Sequence, residues 1–248
     1  MPKDSSTGTR LQSAACPDDK QAHLVRRLKG IEKDAETNLR LPVFDRSERI
    51  VGYLAPIGTM LAKDNLLAED LTQWRRANAN MFLSSFDLSA ARTQRWLNET
   101  VITDDSKLLF LVTDAQGRRL GQYGLRDIGP DSAELDNGIR GEAGGHPHLF
   151  FYVELAVMSF CFGQLNVKRV ITRAFSDNYL ALRLHNMVGL TIDGNEPLVS
   201  VIENGEIRYA VQTDENNIES ARSMTVLSME RAAFYRKYGW IAATKHTH

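Results

Sequence analysis

The chain has 248 residues, enough for one large domain or for a domain with an extension. It is 43% hydrophobic and 25% charged, which excludes wholesale disorder, and a net charge of -1 gives no sign of a general polyanion binder while leaving room for a local basic patch, so no nucleic-acid partner is expected. Two cysteines exclude a disulfide-built secreted scaffold and a cysteine-rich zinc module, and the expected setting is reducing and cytoplasmic.

Residues 1–20 are polar and read as a flexible tail, with no apolar stretch of the signal-peptide kind. Residues 21–40 predict a charged amphipathic helix, with Leu24, Leu28, Ile31 and Ala35 at helical spacing and Gly30 as an internal weak point. LPVF and RIVGYLAP predict a hairpin. NLLAEDLTQWRRAN predicts a helix with Leu67, Leu71 and Trp74 on one face. LSAARTQRWLNET predicts a second, capped by Asp87 or Ser89. KLLFLVTD, GRRLGQYGLRDIG and AELDNGIR are strands. The apolar run from Leu149 to Leu165 is too short for a membrane span and reads as a buried helix. VKRVITRAF is a strand, and SDNYLALRLHNMVGL is a helix with a Ser-Asp cap and a stop at Gly189. VSVIENG and EIRYAVQT form a hairpin around Asn204-Gly205. MTVLS and the helix MERAAFYRKYG end the pattern. This order implies an α+β fold, one mixed sheet with helices on both faces.

The stretch from Arg140 into the apolar helix is rich in glycine (Gly141, Gly144, Gly145). Glycines that aim loop amides at a helix N-terminus form an anion site, although such a turn is more often a plain connection. His146-Pro147-His148 invites a metal reading, but no third or fourth ligand stands nearby. Polar residues opening a helix are the expected reading, and no metal is predicted. Six acids against Arg208 alone between Glu196 and Glu219 read as a solvated face, or as an attraction for a cationic amine.

Asn178, Ala181, Leu184, His185, Gly189 and Leu190 resemble the N-x-x-A-x-x-L-[YH]-x-x-x-G-[FL] signature of the GNAT N-acetyltransferase superfamily. Gln73-Trp74-Arg75-Arg76-Ala77-Asn78 is similar to the segment ending the first helix of the amino-sugar and ribosomal-protein branch. LLFLV, GRRLGQYGLRDI and AELDNGIR resemble the family's second, third and fourth strands, and ENGEIRYAV with MTVLSMERAAF its closing elements. The resemblance runs over about residues 50–235, with a polar insertion near 214–222. It implies a GNAT fold with a central, mostly antiparallel sheet. The expected division is 1–20 tail, 21–63 N-terminal extension and 64–248 acetyltransferase domain.

The resemblance implies acetyl-CoA as cosubstrate. Asn178 would bond the pantetheine arm, with Ala181 beside it. The fourth-strand backbone at Asn137, Gly138 and Ile139 would supply the N–H for a developing oxyanion. The pyrophosphate loop [QR]-x-x-G-x-[GA] corresponds to Arg140, Gly141, Glu142, Ala143, Gly144 and Gly145, with Ala143 where the first glycine belongs; a one-residue shift would restore Gly144 and lose Arg140. Glu142 is an unwelcome charge beside phosphates unless it points outward. His185 stands where tyrosine is commoner. It would protonate the leaving thiolate, or only bond the sulfur, or merely pack on a helix surface. Glu134 and Asp136 alternate along one strand and share a face, as candidates for handling the amine proton or as solvated acids.

The expected activity is acetyl transfer to a primary amine of a small molecule, a nucleotide-linked amino sugar first. The alternatives are a protein N-terminus, as in ribosomal-protein acetyltransferases, and an inactive GNAT-fold binding module. The resemblance also raises a homodimer.

Overall fold

The computed structural model describes residues 16–32, 39–85, 87–203, 206–212 and 222–243. Among them ten strands form one sheet: β1 Leu41–Phe44, β2 Ile50–Pro56, β3 Ser84–Ser85, β4 Leu108–Asp114, β5 Arg119–Arg126, β6 Ser132–Arg140, β7 Arg169–Phe175, β8 Thr191–Glu203, β9 Glu206–Val211 and β10 Arg222–Glu230. The spatial order is β1-β2-β4-β5-β6-β7-β10-β8-β9-β3. Every neighbouring pair is antiparallel except β6 and β7. The helices are α1 Asp19–Leu28, α2 Asn65–Ala77, α3 Ala90–Trp96, α4 Leu149–Gly163, α5 Tyr179–Val188, α6 Arg231–Lys237 and α7 Gly239–Ala243.

The two-residue period of the strands sorts the core onto two faces. Leu108, Phe110 and Val112 of β4 pack with α4 in the larger cluster. Leu109 and Leu111, between them, pack with Leu71 and Trp74 of α2 and with Leu97 after α3. On β6, Ala133 and Leu135 belong to the α4 face, so Glu134 and Asp136 face α2 and α3.

α1 starts on a capping box, in which Asp18 accepts from Gln21 N and the Gln21 side chain accepts from Asp18 N. It stops at Leu28, short of the helix expected to residue 40, because Gly30 adopts a left-handed φ of 66° and turns the chain away; Ile31 is exposed, and Ala35 lies outside the described residues. Gln21 Nε2 donates to Gly129 O and Leu165 O, and Lys29 Nζ donates to Asp104 O at 2.6 Å. These partners lie in the turns at the N-terminal ends of β4, β6 and β7. α1 therefore caps the end of the sheet away from the loop after β6.

Two local expectations are corrected. α5 is capped by Asn178, whose Oδ1 accepts from Ala181 N at 3.2 Å, and not by the Ser-Asp pair before it. β8 begins at Thr191, eight positions before the expected Val199, because TIDGNEPL pairs with β10 from Thr191↔Ser228 to Leu198↔Arg222. Of the two candidate caps of α3, Ser89 is the one used. The tail before residue 16, the Asn204-Gly205 turn and the insertion from 213 to 221 lie outside the described residues.

Candidate active site

β6 and β7 pair only from Ser132↔Arg169 to Leu135↔Thr172, although β6 runs on to Arg140 and β7 to Phe175. Beyond Leu135 the two strands part and leave β6 an unpaired edge on that side. On its other side β6 carries a bulge. Gly124 pairs with Asp136 and Gln122 with Ile139, so Asn137 and Gly138 together stand opposite Tyr123. Asn137 takes a left-handed φ of 50°, a region that asparagine enters more readily than most residues. A Cβ on Gly138 would lie 3.0 Å from the Tyr123 ring. The strand therefore changes its facing at the point where the groove opens.

The loop after β6 is held from behind. Gly141 N and Glu142 N donate to Leu120 O, and Arg140 donates to Gly144 O at 2.9 Å. A side chain at Gly141 would collide with Trp74, whose ring lies 2.2 Å from the Cβ position. Trp74 Nε1 donates to Glu142 Oε1 at 3.1 Å, so the one acid of the loop is drawn toward α2. Gly144 and Gly145 have φ of 110° and 66° and turn the chain into α4. The amides of Ala143, Gly144, Gly145 and His146 donate to no protein acceptor among the described residues, and the first turn of α4 adds its own unsatisfied amides. Arg118 lies 3.5 Å from the Cβ position of Gly144. Free amides, a helix N-terminus and two nearby guanidiniums fit a pyrophosphate, even with Ala143 in the place of a glycine. The His146 and His148 rings lie 6.0 Å apart, tilted at 54°, at the helix entrance, and no metal-binding cluster of three His, Cys, Asp or Glu exists among the described residues.

α5 borders the same groove through Asn178. The Asn178 Oδ1 is engaged in the cap, and its Nδ2 has no protein partner among the described residues. Ala181, half-buried, supplies the amide that Asn178 holds. His185 is buried, which overturns its reading as a surface histidine: its Nδ1 lies 2.9 Å from Glu154 Oε1, and Glu154 is wholly enclosed in α4. Sequence reading gave Glu154 no role. A carboxylate inside an otherwise apolar helix was the available signal.

On the α2–α3 side of β6 lies a cavity of about 320 Å³. Arg75, Ser84, Arg92, Trp96, Gln122 and Asn137 contribute to its wall, and no acidic side chain lines it among the described residues. Arg75 stacks 4.0 Å over Phe82, and burial lowers its pKa against the pull of Asp136. Arg92 pairs with Glu206 of β9 at 2.8 Å. None of these arginines was singled out as a site residue in the sequence, because charged helix positions look solvated until the sheet edge folds over them.

Glu134 and Asp136 share that face but differ in surroundings. Glu134 is buried, with Oε1 2.5 Å from Arg126 and Oε2 bonded to Arg173. Burial pushes its pKa up while both guanidiniums oppose the shift. Asp136 is half-buried, and its Oδ2 accepts from Asn137 Nδ2 at 2.6 Å, one bond from the cavity wall. Glu196 and Glu206, from the acid-rich stretch, pair with Arg173 and Arg92.

A family model described as an acetyltransferase (GNAT) domain matches residues 61–191, more than half of the chain. No curated protein sequence matches it significantly. Among solved structures it is similar to a GCN5-related N-acetyltransferase from Brucella melitensis, with 17% identity over 85% of this chain and 91% of the other and a TM-score of 0.58. It is similar to FdhC, described as a nucleotide-linked sugar GNAT, with 13% identity over 83% and 98% and a TM-score of 0.57. It is also similar to the Vibrio cholerae spermidine N-acetyltransferase in complex with CoA and spermine, with 16% identity over 74% and 98% and a TM-score of 0.56. Likeness at these identities speaks for the fold, and the family match speaks for the chemistry. The chain belongs to the GNAT family of acetyltransferases, enzymes that use acetyl-CoA.

Proposed function

We propose that this acetyltransferase modifies the primary amine of a small acceptor that carries negative charge, with a nucleotide-linked amino sugar as the class that fits best. The observation carrying this reading is the cavity wall, where Arg75 and Arg92 lie with hydroxyl and amide groups and no acid among the described residues. The guanidinium of Arg75 suits a phosphate, while that of Arg92 is held by Glu206; Ser84 and Gln122 suit sugar hydroxyls, and Trp96 offers a face to a ring. A polyamine would bring more positive charge to the same wall.

Acetyl-CoA, when bound, supplies the acetyl group as a thioester. In this reading the loop amides of Ala143 to His146, with Arg118 and Arg140, hold its phosphates. Asn178 holds the pantetheine arm with its Nδ2, and the bulged backbone of Asn137, Gly138 and Ile139 faces the reacting carbonyl. Asp136 orients the amine and takes its proton. Glu134, with both oxygens on arginines, braces β6 against β5 and β7 and handles no proton. His185 gives a proton to the leaving thiolate.

Thiol release from acetyl-CoA tests the acceptor. We expect kcat/KM for a nucleoside-diphosphate-linked amino sugar to exceed that for spermidine by about tenfold or more, and Arg75→Ala to narrow the gap. Preference for spermidine, or for a peptide amino terminus, would overturn the acceptor class.

A further inference from the structure

α4 reads LFFYVELAVMSFCFG, and Glu154 is its only charged residue. A buried carboxylate is costly unless something uses it. Glu154 Oε1 meets His185 Nδ1 at 2.9 Å across the α4–α5 interface, the Tyr123 phenol of β5 neighbours the same carboxylate, and Oε2 makes no hydrogen bond of good geometry among the described residues. The other titratable groups around the carboxylate keep their protons. Burial pushes the Tyr123 phenol of β5 well above its ordinary pKa, and the charge of Glu154 pushes it further. Burial also pushes up the Cys161 thiol of α4, and lifts Tyr238, at the end of α6, to about 12. The 2.9 Å contact makes His185 the hydrogen-bond partner of Glu154 on α5, and the other ring nitrogen, Nε2, has no protein partner among the described residues.

We propose that Glu154 is a positioning residue for the transfer: by accepting from Nδ1 it fixes the tautomer and ring plane of His185, so that Nε2 is the nitrogen presented to the leaving sulfur. The proposal rests on the role given to His185 above. In the step it serves, the amine nitrogen bonds the acetyl carbon and the carbon–sulfur bond breaks. The electron pair stays on sulfur, and a proton passes to it from Nε2. The ring keeps its Nδ1–H on Glu154. The proton released by the new amide nitrogen passes through Asp136 and water and restores Nε2–H.

Steady-state kinetics of Glu154→Leu, Glu154→Gln and His185→Phe, with acetyl-CoA and the best acceptor, tests this. Glu154→Leu should lower kcat about tenfold or more while the KM for acetyl-CoA stays within about twofold. Glu154→Gln keeps an acceptor for Nδ1–H and should recover part of the loss. In a His185→Phe background, Glu154→Gln should cost no further kcat, whereas additive losses would mark Glu154 as merely structural and overturn the proposal. Lowered turnover in His185→Phe with unchanged turnover in both Glu154 variants would overturn the proposal for Glu154 alone. Unchanged turnover in His185→Phe would strike the role of His185 itself. Should the variants fail to fold, ¹⁵N NMR of the wild-type imidazoles decides: His185 should show a slowly exchanging Nδ1–H, and a bare Nδ1 would overturn the proposal.

Discussion

The two faces of β6 solve binding in opposite ways. Toward α4 and α5 the surroundings are apolar, and Glu154, His185 and Tyr123 are the polar exception. Toward α2 and α3 the surroundings are charged, with Arg75, Arg92, Arg126, Arg173, Glu134 and Asp136 close together. The phosphate-fitting loop at the end of β6 offers backbone amides, which are fixed by fold and carry no net charge. The cavity offers side chains, which substitution can alter without disturbing the backbone. In the reading proposed above, cofactor recognition leans on the chain path and acceptor choice on side chains. In that reading, a chain of net charge -1 provides for a polyphosphate cosubstrate with local amides and few basic groups.

The largest effect that would break this contrast comes from the charged face. Glu134→Ala leaves the Arg126 and Arg173 guanidiniums without the buried carboxylate between them, and should destabilise the fold by about 3 kcal/mol, read by urea unfolding. Arg173 keeps Glu196, which limits the loss. A change below about 0.5 kcal/mol, the size of an exposed substitution, would show that Glu134 does not brace the strands.

Much of this architecture was legible in local pattern. The strand LLFLV, the helix from Leu149, the Gly189 stop and the Asn178 signature all depend on neighbours within a turn or a strand. What the sequence hid depends on distant partners. AELDNGIR reads as an ordinary strand, and only its pairing with β5 reveals the bulge at Asn137 and Gly138. His185 and Glu154 are 31 positions apart, and no periodicity links them. Glu134 and Asp136 alternate as expected, yet the sequence cannot tell that two arginines from β5 and β7 claim one of them. The cap of α5 was misplaced because Ser176, Asp177 and Asn178 are all capable of it, and backbone geometry alone selects Asn178.

Lys29 sharpens the comparison from outside the site, since it ties the end of α1, which packs on the α4-side core, to the turn before β4. Burial lowers its pKa from 10.5 to about 8, with Asp104 and Asp105 opposing. Between those values the unfolded chain binds more protons than the folded one, so the contribution of Lys29 to stability rises with pH. From pH 7.5 to 10, the stability of wild type relative to Lys29→Met should increase by ~2 kcal/mol in urea unfolding. A flat difference would mean that the ammonium is not desolvated, and that the end of α1 is packed less tightly on the turn before β4 than its contacts imply.

The smallest expected effect separates fold from function at one residue of the cofactor side. Asn178 serves the helix with Oδ1, which accepts from Ala181 N, and leaves Nδ2 for a ligand. Asn178→Ala removes both and should cost ~1 kcal/mol of stability through the lost cap, with a rise in the KM for acetyl-CoA. Asn178→Asp keeps an acceptor for Ala181 N, so its melting temperature should match wild type. It has no Nδ2, and it places a carboxylate beside the groove. If the side chain acts on the cofactor, Asn178→Asp should show the full rise in KM without the loss of stability. If capping is its whole role, Asn178→Asp should behave as wild type in both measurements, and recognition on this side would then belong to the backbone alone.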